Sequence, residues 1–241
     1  MLKSAALFPL VVVFLGACAY QQPKLSSDSV VSSPQSMDVK GEADYWWYAR
    51  FEMDWSDYNE PDFSKNLIIA HEVISPLLDR YADNISLWRF HRRAAHDAAG
   101  HQFSFIFYST PDIAQAIYDD IDHSVLVDGL LATGDLLAVK LDNVNEPKRA
   151  GISATSDKKW SMTIQKSWPY FIMGVSVMWL DLVAQEVDDK ALSSNTGIKE
   201  RLGYYRKVND RITALWNKEG RHALLHHING IFGYEPLEIR F

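Results

Sequence analysis

The sequence predicts an α+β fold, with an antiparallel sheet followed by helices. Short segments rich in aromatic and β-branched residues lie in the first half of the chain, and this composition is typical of β-strands. Other segments place apolar residues three and four positions apart, which is the pattern of amphipathic helices. The order along the chain is strand, helix, strand, strand, helix, and further helical segments occupy the C-terminal part.

The first predicted strand and helix follow a polar N-terminal region. Residues 45–54 are rich in aromatic side chains and alternate between apolar and polar toward their end, which predicts a strand. We interpret the aromatic cluster as the core-facing part of this strand; a sugar-stacking platform is the alternative. Residues 66–81 carry apolar side chains at helical spacing, which predicts an amphipathic helix. Pro76 either kinks this helix or marks a second helix start.

The next elements are a β-hairpin and a second helix. Residues 85–93 and 102–109 are extended aromatic-rich runs, and the turn at residues 94–100 between them contains Ala and Gly, which predicts a hairpin. In the second run, alternate phenylalanines share one side of the strand, which we expect to face the core: Phe103, Phe105 and Phe107. The segment Ser109-Thr110-Pro111-Asp112 combines a hydroxyl cap with an early proline, which predicts a helix start.

These five elements are five of the six that form a split β-α-β, or ferredoxin-like, core. The sixth element, a strand, could come from residues 136–141 or from residues 237–241, and the sequence leaves this choice open. We therefore predict an α+β domain with a ferredoxin-like core and an antiparallel sheet, followed by C-terminal helices.

Three helices are predicted after this core. Residues 167–187 are apolar nearly all round, and Asp181 interrupts the run before the roughly 20 residues needed to cross a bilayer. We therefore expect a buried central helix rather than a second membrane anchor. Residues 198–215 carry apolar side chains three and four positions apart, with charged residues between them, which predicts a helix. Residues 221–232 predict a last helix that ends near Gly233.

Candidate chemical groups concentrate in the hairpin. The first strand and the turn carry imidazole, guanidinium and carboxylate groups: Arg89, His91, Arg93, His96, Asp97 and His101. The first three project to one face of the strand. Such a cluster could bind a phosphate or carboxylate, or hold a His–Asp pair for proton transfer, whereas the alternative is a solvated sheet face with a polar turn. The candidate catalytic residues are His91, Arg93, Asp97 and His101, with His227 from the last helix.

A second group of histidines lies in the last helix. His222 and His226 are four residues apart and lie on the same side of a helix, so the two imidazoles could ligate one metal ion. A zincin motif would place a glutamate directly after the first histidine, where this chain has Ala223. We therefore expect neither a metal site nor a cofactor.

The N-terminus has the features of a secretory signal that ends at a cysteine. Lys3 precedes an apolar run over residues 5–15, and Leu15-Gly16-Ala17-Cys18 ends this run at the only cysteine of the chain. A positive start, a short apolar stretch and small residues at the cleavage site are typical of a secretory signal, and the stretch is too short to span a bilayer. The segment resembles the signal peptide and lipobox of bacterial lipoproteins. The resemblance implies removal of residues 1–17, lipidation of Cys18 and firm attachment to a membrane.

The region after Cys18 predicts the domain organisation. Residues 19–43 are rich in Ser, Gln and Pro and lack an apolar period, which is typical of a flexible tether. The expected organisation is a signal peptide (1–17), a lipidated cysteine with its tether (18–43) and a single α+β domain (44–241). Family members retained in the inner membrane often carry Asp after the cysteine, and this chain has Ala19. We therefore expect a lipid anchor in the outer membrane, with the domain facing the periplasm.

Four short motifs are spread over the globular part. They are Trp46-Trp47-Tyr48-Ala49-Arg50, Ile74-Ser75-Pro76-Leu77-Leu78, Trp88-Arg89-Phe90-His91-Arg92 and His227-Ile228-Asn229-Gly230-Ile231-Phe232-Gly233. Together they resemble the C-terminal elimination domain of lantibiotic dehydratases, which acts on peptides and uses Arg and His residues. The family's histidine four positions before the Asn is Leu225 here, and its Arg after the Asn is Gly230. The resemblance therefore implies a shared scaffold, and a scaffold does not specify the reaction.

Two classes of function fit these features of the chain. A formal net charge of −7 gives no general attraction for nucleic acid or anionic headgroups. The first class is a bacterial envelope lipoprotein with a binding or accessory role, whose partner is an envelope protein, a peptide or a glycan. The alternative is a membrane-anchored peptide lyase, hydrolase or transferase that uses the His/Arg/Asp cluster. The second class requires the candidate residues to converge in one pocket.

Overall fold

Four antiparallel strands form one sheet in the computed structural model, which describes residues 43–55, 60–188, 192 and 196–234. The strands are β1 (Tyr45–Met53), β2 (Leu87–Ala94), β3 (His101–Ser109) and β4 (Ala138–Leu141). Their order is β2-β3-β1-β4, and every neighbouring pair is antiparallel. This arrangement confirms the α+β class and is compatible with a ferredoxin-like core. The fourth strand comes from the first of the two alternatives, and residues 237–241 lie outside the described residues.

The helices are α1 (Ser64–Ile68), α2 (Ser75–Arg80), α3 (Pro111–Asp122), α4 (Val125–Ala132), α5 (Met162–Glu186), α6 (Ile198–Leu215) and α7 (His227–Ile231). A π-helical segment, Ile69–Ile74, joins α1 to α2 without a break in the helical backbone, and Pro76 lies in the first turn of α2. A second π-helical segment, Trp216–His226, joins α6 to α7. Gly233 follows α7 with a φ of +77°, a backbone conformation that glycine adopts without steric cost.

The sheet has two different faces. Its inner face carries the predicted phenylalanines of β3, all fully buried, together with Phe51 of β1. Apolar side chains of α1, α3 and α6 pack against this face, among them Leu67, Ile117 and Val208. On the outer face a smaller cluster covers one end of the sheet: Trp46, Leu87 and Ile106, with Ile152, Ala154 and Met173 packed on it. The core therefore lies between the inner face and the helices, and the rest of the outer face is polar.

Helix α5 packs along the outer edge of β2. The backbone N–H of Phe90 donates a hydrogen bond to Ser176 Oγ at 3.1 Å, and the Trp179 ring packs edge-on against the Phe90 ring. An uncovered edge strand offers unpaired backbone groups to other chains, and a helix over the edge removes this liability. The position of α5 is therefore set by the edge of the sheet.

The expectation that α5 is a buried central helix is wrong. Its buried residues are Gln165, Pro169, Ser176 and Val183, and only 17% of its most apolar 18-residue window is buried. Phe171 and Val177 are each 45% exposed. The reason is that a helix on a sheet edge has protein on one narrow side, however apolar its other sides are. Among the described residues, α5 is the one helix long and apolar enough to cross a membrane, by length and composition only.

Candidate functional site

Two adjoining cavities lie between α5, β2 and the C-terminal helices. The first has a volume of about 300 Å³ and is lined by Arg92, Val175, Met178, Trp179, Leu182, Asn209, Ile212, Thr213, Trp216 and Leu224. The second has a volume of about 230 Å³ and is lined by Arg89, Phe90, His91, Arg92, Trp168, Ile172, Val175, Ser176 and Trp179. Arg92, Val175 and Trp179 line both cavities. We call the two cavities together the α5 groove.

The apolar wall on the α5 side of the groove follows from helical periodicity. Val175, Met178 and Leu182 are three and four residues apart, so they lie on one side of the helix. This side is next to the one that packs on β2, and it faces Ile212 of α6 across the first cavity. Val175 remains 38% exposed. The stripe therefore forms a wall of the groove that the described chain leaves uncovered.

The second π-helical segment contributes Trp216, whose ring lies against Gly220. A Cβ atom at Gly220 would clash with the Trp216 ring, so that one of the two would have to move. Glycine at this position therefore lets the ring approach the helix backbone. This contact helps to hold the Trp216 ring in the wall of the first cavity.

Arg92 places a positive charge in this apolar setting. Its Nε donates a hydrogen bond to Asn66 Oδ1 at 3.2 Å, and its guanidinium carbon lies 4.6 Å from the centre of the Trp179 ring and 5.0 Å from that of Phe63. Its Nη2 is buried without a hydrogen-bond partner. Burial lowers the pKa of Arg92 to about 10, so the side chain keeps its charge at neutral pH. Within the described residues no carboxylate forms an ion pair with it.

Asn66 connects Arg92 to His101. The Asn66 Nδ2 atom lies 3.0 Å from Met53 Sδ and 3.3 Å from His101 Nε2. The His101 side chain belongs to a residue only 1% exposed, and its Nδ1 is buried without a partner. Burial, assisted by the positive charges of Lys65 and Arg92, lowers the pKa of His101 to about 4. The imidazole is therefore neutral at physiological pH and forms part of the core.

The outer face of β2 carries the other predicted basic residues. Arg89, His91 and Arg93 alternate along the strand on this face, as expected. Arg93 forms a salt bridge with Asp97 of the hairpin turn, and both side chains are exposed. Burial, followed by the charges of the two neighbouring arginines, lowers the pKa of His91. Arg89 and His91 line the second cavity of the α5 groove, so this part of the predicted cluster borders the site.

The structure does not bring the five candidate catalytic residues into one pocket. His91, Arg93 and Asp97 lie together on or beside the outer face, whereas His101 shares the inner face with Phe103. His227 is exposed on α7, where its ring centre lies 5.4 Å from that of His226. The His222 and His226 rings are stacked with centres 5.1 Å apart. Among the described residues, no group of three or more His, Cys, Asp or Glu side chains could hold a metal ion.

Sequence reasoning missed Arg92 as a site residue. The alternation of β2 puts Trp88, Phe90 and Arg92 on the inner face, so a charged residue at an inward position was the available signal. Inward charges are rare in strands because burying an unpaired charge is unfavourable. Such a position therefore suggests a functional group.

Comparisons with known proteins give no match. No family model matches the chain, and neither the curated proteins nor the solved structures contain a significant match.

Proposed function

We propose that this chain is a bacterial envelope lipoprotein whose globular domain binds a small, largely apolar ligand in the α5 groove. In this proposal Cys18 carries the lipid, the outer membrane holds the anchor, and the domain faces the periplasm. The leader at residues 1–18 supports the anchor by its charge, apolar length and small residues before the cysteine. The role is binding, and the proposal requires no catalytic group.

The α5 groove is the observation that carries this proposal. Small-molecule sites are concave, mostly apolar, and contain a few polar groups that orient the ligand, with volumes of roughly 300 to 1,000 Å³. The first cavity has about 300 Å³, and its wall is formed by apolar side chains of α5, α6 and the second π-helical segment with Arg92 at one side. The second cavity extends this space along β2. A ligand that fills the groove would cover apolar surface that the described chain leaves exposed.

The enzymatic alternative gains no support from the positions of the candidate residues. His101 is a neutral core residue on the inner face, and His227 is exposed on a different element. General acid–base chemistry needs the participating groups within hydrogen-bond reach of one substrate. His91 borders the groove, and its neighbours on the described groove wall include Arg89 and Arg92 but no carboxylate.

The test uses two valines of α5 that differ in position. Val175 lines both cavities, whereas Val177 lines neither of them, and the two residues are 38% and 45% exposed. The protein is the chain from residue 18 onward with Cys18→Ala, which carries neither the apolar leader nor the lipid. A neutral naphthylamine dye that fluoresces in apolar surroundings is titrated into this protein. We expect Val175→Asp to weaken dye binding about tenfold or more, because a hydrated carboxylate at this wall replaces the apolar surface that the dye contacts, whether or not it pairs with Arg92.

Val177→Asp is the matched control and should leave dye binding unchanged. Both residues are partly exposed, so neither substitution should unfold the domain. Equal dye binding by the parent and the Val175→Asp protein would rule out the α5 groove as the site.

A further inference from the structure

We infer that the ligand of the α5 groove is an amphiphile with a single hydrocarbon chain and an anionic head group, and that Arg92 binds this head group. The inference rests on the proposed binding function and specifies the class of ligand. It assigns the head group to the junction of the two cavities, which Arg92 lines. The hydrocarbon chain occupies the first cavity.

The first argument is the unbalanced charge of Arg92. A guanidinium has five N–H donors, and in the described structure only Nε donates, to Asn66 Oδ1. Nη2 is buried without an acceptor. Stacking on Trp179 and Phe63 stabilises the cation only partly, because a cation–π contact contributes roughly 0.5 to 2 kcal/mol. Holding a charge in a largely apolar setting without a counter-ion is unfavourable. Among the described residues, Arg92 has no negative partner, and an anionic ligand would supply one.

The second argument is the sign of the charge along the groove. The charged residues among the described lining of the two cavities are Arg89 and Arg92, and this described lining includes no Asp or Glu. This local excess of positive charge occurs in a chain whose formal net charge is −7, so it does not reflect the overall composition. Guanidinium groups form paired hydrogen bonds with carboxylates and phosphates. The groove therefore favours an anion over a neutral or cationic head group.

The third argument concerns the shape of the apolar part. Away from Arg92, the first cavity is bounded by Met178, Leu182, Trp216 and Leu224. Its volume of about 300 Å³ lies at the low end of the range for ligand sites. A narrow space with apolar walls accommodates one hydrocarbon chain better than a bulky or two-chain lipid.

The experiment compares head groups on one chain length. Decanoate, decyl phosphate, decanol and decylamine, each below its micelle concentration, are tested for displacement of the naphthylamine dye from the same Cys18→Ala chain that begins at residue 18. We expect at least one of the two anions to displace the dye at concentrations about tenfold lower than decanol does, as charge-assisted hydrogen bonds predict. The carboxylate and the phosphate distinguish a fatty acid from a phosphorylated lipid as the source of the head group.

Two arginine variants locate the anion site. Arg92→Met should reduce the advantage of the anions over decanol to about onefold while leaving decanol binding in place. Arg93→Met is the matched control, because Arg93 is adjacent in sequence, lies on the opposite face of β2 and pairs with Asp97. It should keep the full advantage. An advantage lost in Arg93→Met and kept in Arg92→Met would overturn the assignment.

If Arg92→Met fails to fold, the four amphiphiles measured on the protein with all its arginines still test the inference. Equal displacement by decanol and by both anions would overturn the inference and leave the proposed binding function intact. Stronger displacement by decylamine would overturn it as well. A protein that binds neither the dye nor any of the four amphiphiles would overturn the proposed function itself.

Discussion

Arg92 and His101 show how one environment gives two basic side chains different charges. Burial lowers the pKa of both residues, to about 10 for Arg92 and to about 4 for His101. Their ordinary values differ by about six units, so at neutral pH the arginine stays charged and the histidine stays neutral. Both contact Asn66. Arg92 thus keeps its positive charge at neutral pH beside a core imidazole that takes up no proton near neutrality.

The buried His101 predicts a pH dependence of stability. In the unfolded chain its pKa is about 6.5, whereas in the folded protein it is about 4. As the pH falls through this interval, the unfolded chain binds a proton that the folded protein does not, so the free energy of unfolding decreases. Urea unfolding measured between pH 7 and pH 4 should show this decrease, and His101→Gln should reduce it.

His123 offers a control for this prediction. His123→Gln removes an exposed histidine at the end of α3 and leaves the buried side chains in place, so it is the reference substitution against which the effect of His101→Gln is compared. A His101→Gln protein with the same dependence as the parent would contradict the burial of the imidazole.

Two side-chain to backbone hydrogen bonds position helix α5 against its neighbours. Pro169 lies inside the helix and has no N–H to donate to the carbonyl of Gln165. The Ser156 hydroxyl donates to this carbonyl at 2.7 Å instead, which satisfies the buried acceptor and ties the helix to the preceding segment. Further along the helix, Ser176 accepts the hydrogen bond of the Phe90 N–H. These contacts set the distance between α5 and β2 on which the groove depends.

Ser176→Ala tests the attachment of α5 to the sheet edge. The substitution leaves the Phe90 N–H buried without an acceptor, which costs roughly 1 to 3 kcal/mol of unfolding free energy. Ser167→Ala is the matched control, because the Ser167 hydroxyl is exposed and donates only to a carbonyl of its own helix. It should change stability by less than about 0.5 kcal/mol. Urea unfolding followed by tryptophan fluorescence measures both, and equal effects would contradict the attachment.

The whole molecule combines an acidic chain with a basic, partly apolar groove. The net charge of −7 disfavours long-range attraction to anionic surfaces, whereas the short-range charge of Arg92 acts only on a ligand inside the groove. The exposed face of α5 and the proposed anchor are two different apolar features of the chain. They predict different results for membrane attachment when Cys18 is replaced.

Replacement of Cys18 separates these two features. If the lipid on Cys18 is the attachment, the parent chain fractionates with membranes and the Cys18→Ala protein is released into the soluble periplasm. Ser27→Ala in the tether is the control and should stay with the membranes. Retention of the Cys18→Ala protein would contradict the lipid anchor and would instead favour α5 as the element that contacts the membrane.

Periodicity explains which parts of the fold were predictable. Alternation along β3 was sufficient to place its three phenylalanines in the core, because the side chains of a strand point to opposite faces in turn. The predicted helices at residues 66–81 and 198–215 agree with the structure to within a few residues. The α4 helix was not predicted. The last two predicted helices instead form one continuous helical path through the second π-helical segment.

The site was less predictable than the fold. The sequence placed Arg89, His91 and Arg93 on one face of a strand, and the structure agrees. It grouped His101 with these residues, whereas His101 is the first residue of β3 and lies on the opposite face of the sheet. The grouping failed because closeness in sequence across a turn does not specify the face on which a side chain lies.

By itself, the sequence determined the residue periods, the type of most elements and the N-terminal pattern on which the anchor proposal rests. Only the tertiary structure decided that residues 138–141 supply the fourth strand, that α5 lies on the sheet edge, and that Arg92 meets an apolar wall there. The physical reason is the range of the interactions. Periodicity is a property of neighbouring residues, whereas the α5 groove is built from contacts between segments about a hundred residues apart, which local patterns do not encode.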